Sequence, residues 1–167
     1  LDSQAEVLGY PLEIVYIPQK SGNEEYEQRM GEKLQKYKDQ GVEEVVFGDI
    51  FLEDVREYRE KNLARIGMRG IFPLWGRDTK ELASNFVKLG FKAIVTCVDS
   101  KALDRSFVGR IIDEQFLSDL PEGVDHCGEN GEFHSFVYDG PIFKKPISFE
   151  RGEVVLREDR FWYIDLI

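Results

Sequence analysis

The chain alternates between short β-rich segments and longer amphipathic segments, and this alternation restricts the possible fold more than any other feature. Residues 12–17, 42–47 and 91–98 are rich in branched and aromatic side chains, as strands are. Helical periodicity ending at a glycine occupies residues 24–40 and 52–66 between them. Because parallel strands need a crossover that a helix can supply, the pattern predicts an α/β fold with a parallel sheet.

After residue 67 come a loop, a helix, the strand at 91–98 and a further helix, and a smaller antiparallel β section follows. The loop and the helices are predicted at residues 68–76, 78–89 and 110–120. The strands are predicted at residues 131–138, 146–150, 153–157 and 161–166, with tight turns at 151–152 and 158–159. We place a domain boundary near residue 100, with an α/β section at 1–100 and a substrate-binding section at 101–167.

Charge and hydropathy exclude some classes of partner. The 32 acidic residues outnumber the 22 basic ones, and the net charge of -10 opposes binding to a phosphate backbone, so no nucleic-acid partner is expected. No apolar run approaches the roughly 20 residues that span a bilayer, and residue 1 is not followed by a signal-peptide pattern. These features predict a cytoplasmic protein without a membrane partner.

The two cysteines differ in their surroundings. Cys97 lies in the apolar run 93–98, which favours a buried and inert thiol. Cys127 adjoins a glycine-rich stretch and is the more interesting of the two. His126 and Cys127 alone are too few ligands for a zinc site, so no metal site is predicted from them.

The stretch 127–135 is the place where chemistry is most expected. It carries two glycines, two acids, an amide and an imidazole: Gly128, Gly131, Glu129, Glu132, Asn130 and His134. These groups could transfer a proton, contact an ammonium ion or bind a polar substrate. The same residues also suit an ordinary polar turn, because Asn and Gly favour turns for backbone reasons alone. If a strand begins here, Glu132 and His134 share one of its faces.

Further candidate residues follow the predicted strands. Asp49 and Asp99 come at strand ends, where ligands of parallel sheets bind. Asp49 could contact a ribose or magnesium, or it could cap the helix that follows. Arg56 and Glu60 lie four residues apart on one helical face and suit a structural ion pair. Trp75, in an apolar loop, either packs that loop or lines a pocket.

Several of these motifs together, in order and spacing, resemble the ATP-binding family of diphthine–ammonia ligases and their bacterial relatives. The matching residues are Gly48-Asp49-Ile50, Arg56, Glu60, Pro73-Leu74-Trp75 and Gly128-Glu129-Asn130-Gly131-Glu132-Phe133-His134. The resemblance implies the adenine nucleotide alpha hydrolase-like (HUP, or PP-loop) fold of the N-type ATP pyrophosphatases. It also implies an amide-forming ligase that uses ATP and Mg²⁺ to adenylate a carboxylate and then admits ammonia. In the named family that carboxylate belongs to diphthine, and the product is diphthamide.

The resemblance also implies roles for individual residues. The catalytic candidates are Glu129 and Glu132. The substrate-binding candidates are Asn130, His134, Gly128, Gly131 and Trp75, and the nucleotide-binding candidates are Gly48 and Asp49. The implied partners are ammonia and a small-molecule or protein-borne carboxylate, and a homodimer is possible for such a fold.

Two departures from the family pattern accompany the resemblance. The family's Ser-Gly-Gly-Lys-Asp-Ser phosphate loop has no counterpart, and residues 21–23 lack its lysine and open a different helix. Because residues 1–9 suggest the end of a helix, we expect that loop upstream of Leu1. The alternative is a binding module of the same fold without turnover. Asn130 and His134 stand where the diphthine-specific members have Gly and Glu, a form similar to the bacterial relatives.

Overall fold

The chain is described by a computed structural model that covers residues 1–18 and 22–167, apart from the side chain of Asn23. Ser21, which the sequence places at a helix start, lies outside the described residues. In these two ranges no helix is both long and apolar enough to cross a bilayer.

The chain divides into two compact units. The larger unit comprises residues 1–12 and 78–167, and the smaller unit comprises residues 13–77. The functional division near residue 100 stays a prediction, whereas the compact units divide between Leu12 and Glu13 and between Arg77 and Asp78.

The helices are α1 (Asp2–Leu8), α2 (Asn23–Asp39), α3 (Glu53–Ala64), α4 (Thr79–Lys88) and α5 (Glu114–Asp119). The strands are β1 (Glu44–Val46), β2 (Arg69–Ile71), β3 (Lys92–Asp99), β4 (Phe133–Asp139), β5 (Arg151–Arg157) and β6 (Phe161–Leu166). A 3₁₀ turn covers Arg105–Phe107.

The smaller unit contains a short parallel pair. Strands β1 and β2 pair in parallel, with Val45 opposite Gly70, and α3 connects them. The prediction missed β2, which lies inside the expected loop. The strand predicted at residues 12–17 is wrong: the segment lies between Pro11 and Pro18 and pairs with no described strand. Among the described residues, parallel pairing is therefore limited to β1 and β2, and the fold is a mixed α/β one.

The larger unit contains a four-stranded antiparallel sheet in the order β4-β3-β6-β5. The prediction that residues 91–98 form a third parallel strand is therefore wrong in its pairing, although a strand is present. The reason is burial on both faces: nearly all of β3 is buried, so its sequence is a continuous apolar run. Such a run is typical of a parallel strand but equally suits the centre of an antiparallel sheet.

The remaining predictions for the larger unit are partly confirmed. Glu158 and Asp159 form the predicted turn with φ angles of 54° and 49°, but Arg151 and Gly152 lie within β5 instead of forming a turn. Residues 146–150 form no strand. The helix predicted at 110–120 is reduced to α5, because Ile111 bridges to Ile94 of β3 and Asp113 then caps the helix.

The core of the larger unit fixes the start of β4. The Phe116 ring on α5 packs edge-on against Phe107 and Phe133, with ring centres 5.9 and 5.5 Å apart. Phe116 is fully buried and Phe133 nearly so. Because Phe133 is anchored in this way, the polar loop immediately before it is held against the core.

The last residue of β3 forms a partly buried ion pair. The Asp99 carboxylate, 8% exposed, accepts hydrogen bonds from Arg160, which precedes β6. The backbone N–H of Lys101 donates to the same carboxylate at 3.0 Å. The pair therefore ties the end of β3 to the β5–β6 hairpin. Asp99, predicted to sit at a parallel-sheet edge with Asp49, instead has this structural role.

Candidate functional site

The candidate site is the segment 125–134, here called the glycine loop, which leads into β4. Gly128 and Gly131 both have positive φ angles, 70° and 84°. A Cβ atom on Gly128 would lie 2.8 Å from the carbonyl oxygen of Phe133, whereas one on Gly131 would meet nothing within 4 Å. Gly128 is thus required by both its backbone angle and its close packing.

Glu132 holds the glycine loop together. Its side chain is buried, and the residue is 8% exposed. Its carboxylate accepts hydrogen bonds from the N–H of Asp125 at 3.0 Å, the N–H of Asn130 at 3.0 Å and the Asn130 amide Nδ2 at 2.9 Å. A carboxylate offers about four acceptor positions, so most of those on Glu132 are used inside the loop.

Asp125 is a second organising carboxylate, and the sequence analysis missed it. Its Oδ2 atom accepts from the N–H of Cys127 at 3.0 Å and from the N–H of Glu129 at 2.8 Å. The signal that could have identified it is its position three residues before Gly128, since Asp side chains often bind backbone N–H groups at turns.

The other loop residues are more exposed to solvent than Glu132. Glu129 is half-buried, and Asn130 is exposed. His134 is exposed and lies opposite Cys97 in the sheet register. Because Glu132 is buried in the loop while His134 is exposed, the expected pairing of these two side chains on one strand face is not realised.

Cys127 is a protonated, inert thiol in these surroundings. Its Sγ donates to the carbonyl oxygen of Thr79 at 3.3 Å. Burial, and then the nearby carboxylates of Asp125 and Glu129, raises its pKa to about 11. A thiol reacts as its thiolate, so this cysteine has little nucleophilic character near neutral pH.

No group of three or more His, Cys, Asp or Glu side chains within residues 1–18 and 22–167 is arranged to hold a metal ion. Asp49, the residue considered for magnesium, is instead ion-paired. Its Oδ2 lies 2.6 Å from Arg59 Nε, and the guanidinium carbon of Arg59 lies 4.5 Å from the centre of the Phe47 ring. Asp49 is not a helix cap either, because α3 begins after Leu52 without a side-chain cap.

Three other predicted features, Trp75, the Arg56–Glu60 pair and Gly48, lie in the smaller unit with Asp49. Trp75 packs edge-on against Phe72, with ring centres 6.1 Å apart, and the Arg56 guanidinium carbon lies 4.6 Å from the Trp75 ring centre. Arg56 also forms the predicted pair with Glu60 at 2.9 Å. Gly48 is exposed, and a Cβ there would meet nothing within 4 Å, so no contact requires a glycine.

The structure therefore brings together one set of predicted residues within the larger unit: Gly128, Glu129, Asn130, Gly131, Glu132 and His134. The predicted nucleotide-binding residues Gly48 and Asp49, together with Trp75, lie in the smaller unit. Their catalytic and binding roles stay predictions.

Comparison with known proteins identifies relatives of the chain. It is 34% identical over 129 residues to the diphthine–ammonia ligase of Bos taurus, a match that covers 74% of this chain and 48% of that protein. The Homo sapiens diphthine–ammonia ligase is 33% identical over 130 residues with the same coverage. The Schizosaccharomyces pombe protein of the same name is 30% identical over 118 residues, which is 68% of this chain and 20% of that protein. The chain thus spans about half the length of the animal relatives named here, and less of the fungal one.

The family comparison agrees with these matches. Residues 78–166 match the family described as diphthamide synthase C-terminal domain, and the match begins where the second segment of the larger unit begins. The resemblance inferred from the sequence motifs is confirmed by these findings. Since the matched residues make up more than half of the sequence, the chain belongs to the diphthamide synthase C-terminal domain family.

Proposed function

We propose that this chain is part of an ATP-dependent carbon–nitrogen ligase of the diphthine–ammonia ligase kind, which converts a substrate carboxylate to its amide. Membership of the family and the names of the relatives support this proposal. Within it, the glycine loop receives the nitrogen-bearing group, which is ammonium or a substrate amine. The observation that carries this part is the direction of the hydrogen bonds in the loop.

Nearly every backbone N–H of the glycine loop between residues 125 and 131 is used inside the loop. Asp125 and Glu132 together accept four of these N–H groups through their carboxylates. The N–H of Gly128 donates to the Asp125 carbonyl at 3.1 Å, and that of Gly131 donates to the Gly128 carbonyl at 2.9 Å. A phosphate-binding loop instead points its N–H groups at the ligand. This loop therefore offers a ligand mainly oxygen acceptors, which favour an ammonium or amine donor.

The hydrogen bonds of the glycine loop and the ion pair of Asp49 test whether ATP and Mg²⁺ fit the residues of this chain. The glycine loop does not fit a triphosphate, because its N–H groups are already bonded. Asp49 does not fit a metal ion while it is paired with Arg59 at 2.6 Å. The chemistry that we propose for this chain is accordingly confined to the substrate and its nitrogen.

The two acids of the loop have different roles in this proposal. Glu129 is half-buried, and we propose that its carboxylate accepts a hydrogen bond from the incoming nitrogen. As the C–N bond forms and the C–O bond between the adenylated carboxylate and AMP breaks, Glu129 takes the proton that the nitrogen loses, and AMP leaves. Glu132 supports the loop, since its oxygens bind Asp125 and Asn130. Asn130, His134 and Trp75 remain substrate-binding candidates.

The test is amide formation by the natural full-length protein, with ATP, ammonium and a panel of carboxylic acids that includes diphthine. Glu129→Gln should lower the rate by about a hundredfold or more, as expected for loss of a group that transfers a proton. Glu122→Gln is the matched control, because Glu122 is exposed and lies outside the loop, and it should keep full activity.

Two outcomes would count against the proposal. Unchanged turnover in Glu129→Gln would remove this residue from the chemistry. Nucleotide or substrate binding without pyrophosphate release or amide formation, for every acid in the panel, would instead favour a binding module of the same family.

A further inference from the structure

We propose that Asp125 is a positioning residue that fixes the main chain of Glu129 and thereby the direction of the Glu129 carboxylate. The inference rests on the proposed function in one respect, which is that Glu129 contacts the substrate nitrogen. The hydrogen bonds that carry it are independent of any substrate.

Asp125 accepts hydrogen bonds from three backbone N–H groups of the loop. Asp125 Oδ2 accepts from the N–H of Cys127 at 3.0 Å and from the N–H of Glu129 at 2.8 Å. The carbonyl oxygen of Asp125 accepts from the N–H of Gly128 at 3.1 Å. Three of the four residues that follow Asp125 are thus bonded back to it. The main chain of Glu129 cannot move outward without breaking one of these bonds.

Asp125 is itself held by the core. Its N–H donates to Glu132 Oε1 at 3.0 Å, and Glu132 is buried. The next residue, Phe133, packs against Phe116 with ring centres 5.5 Å apart. An uninterrupted series of contacts therefore runs from the buried aromatic core through Glu132 and Asp125 to Glu129. Partly buried charge-assisted hydrogen bonds of this kind fix geometry, because breaking them leaves polar groups poorly satisfied.

Ordinary capping does not require this arrangement. Asp113 caps α5 through the backbone N–H of Phe116 at 2.7 Å, and Asp104 caps the 3₁₀ turn through that of Ser106 at 2.8 Å. Asp125 binds a second N–H, and that group belongs to the residue proposed to contact the substrate nitrogen. Asp104 thus provides a matched control, since its replacement removes a carboxylate and a capping bond elsewhere in the same unit.

The first measurement is amide hydrogen exchange of the chain by NMR. Asp125→Ala should speed exchange at Cys127 and Glu129 by about tenfold or more, as expected for loss of a charge-assisted hydrogen bond. The amide of buried Val95, which donates to the carbonyl oxygen of Arg110 at 2.9 Å, should be unaffected. Asp125→Asn keeps an oxygen acceptor and should restore slow exchange, and Asp104→Ala should leave both loop amides unchanged. If the exchange rates of the Cys127 and Glu129 amides in Asp125→Ala were the same as in the parent protein, the inference would be overturned.

The second measurement is a double-mutant cycle in the full-length ligase assay. If Asp125 acts through Glu129, then Asp125→Ala combined with Glu129→Gln should be no slower than Glu129→Gln alone. Asp125→Asn should recover most of the rate that Asp125→Ala loses. Losses that multiply in the double variant would show that Asp125 acts separately and would refute the positioning role.

The two proposals fail in distinguishable ways. If Glu129→Gln retains full turnover, the proposed function of Glu129 is wrong, and the exchange data alone decide whether Asp125 positions it. If Glu129→Gln is inactive while Asp125→Ala is fully active, the proposed function stands and the positioning role is overturned.

Discussion

Replacing Asp99 by Asn should remove a pH-dependent part of the stability of the larger unit. The carboxylate is 8% exposed, and Arg160 Nε lies 3.0 Å from both of its oxygens. These bonds from Arg160, followed by the one from the N–H of Lys101, lower the pKa of Asp99 to about 2 from its usual 3.8. A carboxylate with a lowered pKa stabilises the folded state wherever it is ionised.

The expected loss of unfolding free energy follows from the pKa shift of Asp99. The difference between 3.8 and about 2 corresponds to about 2.4 kcal/mol at full value. The Arg160 side chain is 44% exposed, so water screens the pair and reduces this figure to about 1–2 kcal/mol. The contribution should be fully present above pH 3.8, which is the unfolded-state pKa, and should be lost as the pH falls through 2.

The assay is urea denaturation at several pH values from 7 down to about 2. Trp162 of β6 reports on the larger unit if Trp75 is first replaced by Phe in all variants. The free energy of unfolding of Asp99→Asn should lie below that of the parent at pH 7, and the two should converge below pH 3.8.

Asp139→Asn is the matched control for this assay. Asp139 pairs with Lys92 at 2.9 Å, but the lysine side chain is 55% exposed, so this replacement should have a much smaller effect. A loss in Asp99→Asn that is the same at pH 7 and near pH 2, or one no larger than in the control, would refute the reasoning.

Three further predictions concern the glycine loop. Gly131→Ala should destabilise the larger unit by about 1 kcal/mol, because its φ angle is positive. Gly128→Ala should destabilise it by more, because the added Cβ also meets the Phe133 carbonyl oxygen. Thermal melts of both variants test this. Cys127 should be alkylated by iodoacetamide at pH 8 about a hundredfold more slowly in the folded chain than in urea, since its pKa is about 11 instead of 9; peptide mass spectrometry measures it. Glu132→Gln should lower the free energy of unfolding by about 1–3 kcal/mol, because the amide keeps only one acceptor oxygen and either the N–H of Asp125 or that of Asn130 loses its partner; urea denaturation would contradict this if the variant matched the parent.

Local sequence signals were sufficient for three of the helices. The helices α2, α3 and α4 were predicted because each has helical periodicity and is followed closely by a glycine. Gly41, Gly67 and Gly90 adopt the positive φ angles that end helices, 89°, 67° and 86°. Both the periodicity and the terminator are local properties, so no knowledge of tertiary contacts was needed.

Pairing and loop geometry could not be predicted in the same way. The β3 segment has the same apolar composition whether its neighbours run parallel or antiparallel, and its partners lie more than 30 residues away in sequence. The strand β2 has three residues, too few for an alternating pattern to be recognised. For the glycine loop, the residue types indicated an acidic site. Which of its carboxylates is buried and bonded to the loop itself depends on the folded conformation, and the sequence does not reveal it.

That distinction decides how mutations in the site must be interpreted. Glu129 and Glu132 looked equivalent in the sequence, yet Glu132 is 8% exposed and bonded to its own loop, whereas Glu129 is half-buried. Loss of activity in Glu132→Gln would therefore follow from disruption of the loop even if Glu132 never meets the substrate. A variant that loses amide formation but keeps its free energy of unfolding identifies a residue that acts on the substrate. We expect this behaviour from Glu129→Gln, with Glu122→Gln unchanged in both measurements. The reverse assignment, with Glu132→Gln inactive at full stability, would require the Glu132 carboxylate to leave Asp125 and Asn130 during the reaction.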